Sequence, residues 1–179
     1  MAEILLTSAV FVKEVSSISD NIAGKYLLPS MREAQEIGLK GILGDALLAK
    51  CKTLVKEGRI GNANNAAYKE LVDRCQYYLA YQSIVEMTNK VNYKLTNFGV
   101  AKTTDENIQA ASQDEVFKLQ YYYQSKADAC CLDIQNFILE HRADYPEVND
   151  RHCNKIKSNL MSSASCGVFL GGARGKRRV

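Results

Sequence analysis

AAYKELVDRCQYYLAYQSIVEMT, residues 66–88, places Leu71, Cys75, Tyr78, Leu79 and Val85 at three- and four-residue steps. That spacing puts one apolar stripe along a helix and predicts a long helix from about Ala66 to Tyr93. Asn64 or Asn65 stands where a side-chain oxygen can cap its first turn. Downstream, Ser112 and Glu115 have the S-x-x-E spacing of a capping box, which predicts a second long helix running to about Arg142. Val116, Leu119, Tyr123, Ala127, Cys131, Ile134 and Ile138 form its inward stripe, and DYPEVND (144–150) stops it at Pro146.

Upstream, a helix from about Asp45 to Glu57 buries Ala46, Leu47, Leu48, Cys51, Leu54 and Val55, with Gly58 ending it. Before it, Gly38, Gly41 and Gly44 punctuate a turn. A first helix over about Asn21 to Leu39 has Ser17, Ser19 and Asp20 as cap candidates. Ile22, Tyr26, Met31, Ala34 and Ile37 keep helical spacing there, and Pro29 is expected to kink or split it. Met1 to Val15, with β-branched residues among Thr, Ser and Lys, reads as a short strand or an arm laid over the body. Leu95 to Asp105 reads as a loop or short hairpin carrying Phe98 and Val100, and Asn149 to Met161 as a short helix. The fold class is therefore all-α: a bundle of about four main helices with extended N- and C-terminal arms. Residues 1–161 form the helical domain with its N-terminal arm, and residues 162–179 a glycine-containing basic tail.

The chain of 179 residues, 46% hydrophobic and 24% charged, suffices for one domain with a real core. Two prolines and 11 glycines argue against disorder and against a turn-rich β-sandwich. No apolar run approaches the roughly 18–20 residues that span a bilayer, so no membrane role is expected. MAEILLTSAVFVKEV has no basic segment ahead of its apolar patch, which argues against a secretory signal. Cys51, Cys75 and Cys131 fall inside helical segments as small apolar residues; with Cys130, Cys153 and Cys166 they are read as reduced thiols. The net charge of +3 includes four positive charges from Arg174, Lys176, Arg177 and Arg178, leaving −1 on residues 1–173. General nucleic-acid binders spread basic residues over a face of the fold, which this body does not.

Signals for catalysis are absent from the sequence: no G-x-x-x-x-G-K-[ST] loop, no G-x-S-x-G elbow, no H-E-x-x-H helix. No catalytic residue, metal ligand or cofactor is assigned. The two histidines, His141 and His152, select no partner thiol, and adjacent Cys130 and Cys131 diverge by about 100° on a helix, a poor chelating pair. A metal-dependent enzyme and a helical packaging or regulatory protein binding nucleic acid through its basic tail are the competing readings.

Tyrosine is more telling. Ten occur, clustered at Tyr77, Tyr78 and Tyr81 and at Tyr121, Tyr122 and Tyr123. Three consecutive helical residues sweep about 200°, wider than one core-facing stripe. Tyr77, Tyr81, Tyr121 and Tyr122 are accordingly the subunit-interface candidates. In the tail, Val168, Phe169 and Leu170 form a short apolar segment between glycines, suited to adding onto a neighbour, and Arg174, Lys176, Arg177 and Arg178 suit an acidic surface or phosphates.

The order LLPSMREAQEIGLKGILGDALLAKC (27–51), the capped helix 66–88, KLTNFGVAKTTDEN (94–107), EVFKLQYYYQSKADACCLDIQNFI (115–138) and DYPEV (144–148) resembles the head–tail connector (adaptor) proteins of tailed bacteriophages. It is most similar to the ring proteins beneath the portal of crAss-like phages. The resemblance implies a structural virion protein, not an enzyme, assembled in the cytoplasm of the bacterial host and placed at the head–tail interface. It further implies a homo-oligomer, a dodecameric ring, bound to the portal protein and to adjacent tail or ring proteins. Viral DNA would pass through its channel without sequence recognition. The basic end, SASCGVFLGGARGKRRV (163–179), is longer than a minimal connector needs.

Phe169→Ala is expected to leave the thermal melting temperature of the isolated subunit unchanged while weakening its capture of the portal or adjacent ring. A loss of several kcal/mol in stability would instead place the tail in the core.

Overall fold

The computed structural model describes residues 4–16, 18, 22, 24–96, 99–102 and 112–149. The architecture is an all-α bundle around one helix, α5 (Ala66–Asn92). Buried residues occur all round α5: Leu71, Cys75 and Tyr78 on one side, Leu79 and Ser83 on the next, Ala80, Ile84 and Met87 on a third. A helix with buried residues on three sides is one held by several partners, although Lys69, Glu70, Asp73 and Tyr77 in its first half stay exposed. Its buried hydroxyls need no distant partner: Ser83 Oγ donates to the Leu79 carbonyl at 2.5 Å and Thr88 Oγ1 to that of Ile84 at 2.7 Å.

One flank of α5 packs on α6 (Gln113–Glu140), whose start is the capping box foreseen above. Ser112 Oγ accepts the Glu115 N–H at 3.3 Å, and Glu115 Oε2 accepts the Ser112 N–H at 2.8 Å. After α6 two 3₁₀ turns, Arg142–Asp144 and Pro146–Asn149, fold the chain back onto the bundle. There Tyr145 is fully buried and donates to the Ala67 carbonyl at 2.8 Å, beside Tyr68, whose hydroxyl donates to Glu147 at 2.9 Å. The opposite flank of α5 holds α1 (Ala9–Val15) and α2 (Gly24–Glu33), where Val12, Leu27 and Met31 pack on Ala80 and Met87. Helices α3 (Lys40–Leu43) and α4 (Asp45–Lys56) complete the main core through Ile42, Leu43, Leu47, Leu48, Cys51 and Leu54.

A hairpin of β1 (Tyr93–Thr96) and β2 (Gly99–Lys102) follows α5, antiparallel with Tyr93 opposite Lys102 and Thr96 opposite Gly99. The anticipated short hairpin thus contains Val100, while Phe98 lies outside the described residues.

Several expectations need correction. Ala9–Val15 is a helix, not a strand or extended arm: Ser8 Oγ accepts the Phe11 N–H and caps it. The residues before it are held down as well. Gln35 is fully buried; its Oε1 accepts the Leu6 N–H at 2.8 Å, its Nε2 donates to the Ile4 carbonyl at 2.9 Å, and Gln76 Nε2 donates to the Leu6 carbonyl at 3.1 Å. Pro29 does not split its helix. The chain stays helical from Gly24 to Leu43, passing through a π segment at Ala34–Leu39 in which the Lys40 N–H reaches back to the Gln35 carbonyl. Gly38 and Gly41 are inside that run, and Gly44 alone of the three breaks it, with φ of 79°. At Gly38 an added Cβ would overlap the buried Tyr78 hydroxyl, so packing accounts for this glycine. Helix α4 ends in a Schellman motif with Gly58 one residue past the cap: Gly58 N–H bonds the Val55 carbonyl and Arg59 N–H that of Leu54. Ile37, Ala46 and Leu119 are exposed rather than inward, and Val85 is half-buried. Ser17, Ser19 and Asp20, the proposed helix over most of 149–161, and the whole tail lie outside the described residues.

Replacing Gln35 with leucine strands the Leu6 N–H and the Ile4 carbonyl. It is expected to cost about 1–3 kcal/mol in urea denaturation, with Leu6→Ala adding less than its separate cost because both act on one clip.

Candidate assembly surface

Tyr121, Tyr122 and Tyr123 show how α6 divides its loyalties. Tyr123 is buried and lies 6.3 Å from the Tyr81 ring, nearly parallel to it at 31°. Tyr122 stands edge-on to Tyr123 at 5.2 Å but is half exposed, and Tyr121 is 78% exposed. The Lys126 ammonium lies over both the Tyr122 ring at 4.4 Å and the Tyr81 ring at 5.2 Å. Its hydrogen bond with Tyr122 holds it above the ordinary lysine pKa. Tyr77 is exposed on α5, edge-on to Phe11 at 5.3 Å.

Of the four interface candidates, Tyr77, Tyr121 and Tyr122 are thus at the surface, and Tyr81 is half-buried against the main core. The structure does not gather them into one patch: Tyr81 and Tyr122 meet around Lys126, Tyr77 sits against α1, and Tyr121 points away from both. Val168, Phe169, Leu170, Arg174, Lys176, Arg177 and Arg178 lie outside the described residues.

A second apolar row runs along α6 that the spacing of its inward stripe does not reveal. Phe117, Tyr121, Leu132 and Leu139 are all exposed, and at 100° per residue they fall within about 60° of one another, some 140° from the core stripe. Steps of four, eleven and seven residues were the signal for it, masked by Gln124, Ser125 and Asp128 between them.

Between α5 and α6 opens a cleft of about 490 Å³ lined by Glu70, Asp73, Arg74, Tyr77, Cys130 and Asp133. Arg74 Nη1 donates to both Asp133 oxygens at 2.9 and 2.8 Å, Nη2 donates to Glu70 at 3.1 Å, and the guanidinium lies 4.3 Å over the Phe137 ring. This network ties the two long helices together. It is ill-suited to nucleophilic chemistry: burial first, then the Asp133 carboxylate, push the Cys130 thiol up, so it stays protonated near neutral pH. His141 lies outside the cleft, 4.5 Å from the Phe137 ring, with Nδ1 3.7 Å from Asp144. Among the described residues no three His, Cys, Asp or Glu side chains are grouped to hold a metal ion. Among them, too, no helix is long and apolar enough to cross a membrane.

Residues 39–158 match the model of a family described as a family of unknown function, DUF6712. The chain belongs to that family. The matched segment starts at the last residue of the π segment and takes in α3 to α6, so it contains the central helix, the Arg74 network and both apolar sides of α6. No curated protein and no solved structure matches the chain.

Buried acids set the response to alkali. Desolvation lifts the Cys51 thiol to about 12 and raises Cys75, Tyr68, Tyr78 and Tyr145 as well. A raised folded-state pKa means the contribution is fully present below the unfolded thiol value, 9.0, and is lost as pH climbs from there toward 12. Urea midpoints are expected to be flat from pH 7 to 8.5 and to fall above 9, each such group contributing at most about 1.4 kcal/mol per pH unit. Cys51→Ala should lower the plateau yet shallow that decline.

Proposed function

We propose that this chain is a structural, non-enzymatic virion protein that forms a ring joining the portal to tail components around the DNA channel. The observation that carries the proposal is the unburied aromatic side of α6. Tyr121 and Tyr122 are exposed beside the buried Tyr123, on a rigid helix fixed by its capping box and by Arg74. Monomeric proteins seldom expose rows of large apolar groups, and tyrosine and its aromatic relatives concentrate where protein surfaces meet.

The sequence resemblance to connector ring proteins supplies the identity of the assembly, with a dodecamer as its expected form. Charge fits as well. Each phosphate that a protein neutralises adds affinity by counterion release, so a channel through which DNA slides is better lined by a body of charge −1 than by a basic one. The Val168–Leu170 segment and the basic residues after it would reach the portal or the adjacent ring.

Negative-stain imaging of the purified protein, alone and mixed with the portal, is expected to show rings. Tyr122→Ser should weaken assembly onto the portal or adjacent ring at least tenfold while shifting the urea midpoint little, since its ring is half exposed. Equal loss of folding and assembly would mean ordinary core packing. Salt-sensitive DNA binding by the monomer, abolished by deleting residues 174–179, would replace the proposal with a nucleic-acid-binding function.

A further inference from the structure

Helices α2 and α6 lie on opposite sides of α5. Arg74, which bonds Asp133 of α6, and Tyr81, which packs on Tyr123, occupy one side of α5. Ala80 and Met87, which pack with Leu27 and Met31, and Lys90, which pairs with Glu33, occupy the other. At 100° per residue the two sets are centred about 140° apart. Each flanking helix therefore turns its outer face away from the other.

Both outer faces carry exposed apolar groups, and their charges are opposite. On α6 the row Phe117, Tyr121, Leu132 and Leu139 spans about 33 Å and is accompanied by Asp114 and Asp128, with Lys118 at its margin and a net negative charge. On α2 and the π segment the exposed side holds Leu28, Pro29 and Ile37, the last 75% exposed, with Lys25 and Arg32 among them. Self-pairing of two α6 faces would bring acidic side chains against each other. Pairing of α6 with α2 of another copy matches acid to base and apolar to apolar, and a contact between two unlike faces on opposite sides of a subunit repeats head to tail.

We infer that the outer face of α6 docks onto the outer face of α2 and the π segment of the next copy, forming the heterologous contact that propagates a ring. This rests on the ring reading above and names its partner surfaces. The contact leaves the Arg74 cleft free for other components. It also assigns a task to Ile37 and Leu132, neither of which contributes to the core.

Charge exchange tests the pairing. The α2 variant carries Lys25→Glu and Arg32→Glu; the α6 variant carries Asp114→Lys and Asp128→Lys. Each alone juxtaposes like charges and is expected to sediment as a monomer with native circular dichroism. Mixed one to one, every contact becomes complementary again, and assemblies of wild-type mass should return with the two variants in equal amounts. Tyr121→Ser, a neutral change at a highly exposed site, should weaken wild-type assembly at least fivefold and covers the case in which a charge variant fails to fold. Assembly of the α2 variant alone, or failure of the mixture to recover, overturns the docking while a ring-forming wild type leaves the ring reading standing. A wild type that stays monomeric, with and without the portal, removes both.

Discussion

Everything in this fold answers to the enclosure of α5. A helix with Leu71, Cys75, Leu79, Ile84 and Met87 buried on several sides leaves water mainly a strip of its first half, with Lys69, Asp73 and Tyr77. It must be surrounded, and removal of a single large side chain from such a site typically costs about 2–5 kcal/mol. The surrounding is divided between unlike partners. Helix α6 covers one flank and adds the Arg74–Asp133 ion pair; α1 and α2 cover the other and add the Lys90–Glu33 pair. The 3₁₀ turns at Arg142–Asp144 and Pro146–Asn149 close the end near Ala67 with a buried tyrosine.

The N-terminal flank depends on a polar device. Ile4 and Leu6 approach the bundle as backbone, and their amide groups lose water when they do. Gln35 answers two of those groups and Gln76 a third, each with a side-chain amide presented from a helix. The π segment is what brings Gln35 inward at that level while Gly38 lets Tyr78 come close. Local backbone irregularity and a long-range clip are thus one arrangement, and π segments of this kind often mark places where a helix has been adapted to a specific contact.

On the far side, α6 is asymmetric in its obligations. Its inward row, Val116, Tyr123, Ala127, Ile134 and Ile138, satisfies the monomer completely. Phe117, Tyr121, Leu132 and Leu139 contribute nothing to that core and stand exposed, a larger apolar row than most monomers show. On the ring reading proposed above, this row and the face of contrary charge on α2 are where neighbouring copies would complete the subunit.

Sequence by itself determined the long helices, the capping box at Ser112 and Glu115, the end of α4 near Gly58 and the all-α class. These follow from interactions within about four residues, whose spacing is written directly in the chain. Over Leu95 to Asp105 it left loop and hairpin open, and the pairing of Tyr93 with Lys102 decided between them. It also fixed that Tyr121–Tyr123 could not share one core, because helix geometry forbids it. Tertiary structure alone decided which neighbours each face meets. Ala9–Val15 is helical because Ser8 caps it and Val12 finds a pocket beside Ala80 and Met87, which β-branched composition could not reveal. Ile37 and Leu119 are outside because nothing among the described residues packs over them, although both kept helical spacing with buried residues. Tyr81 was legible as aromatic and central, yet its half-buried place beside Lys126 and Tyr123 depends on α6 lying across it, a contact forty-two residues away in the chain. Periodicity reports which residues share a face; only the packing of distant segments says whether that face is covered.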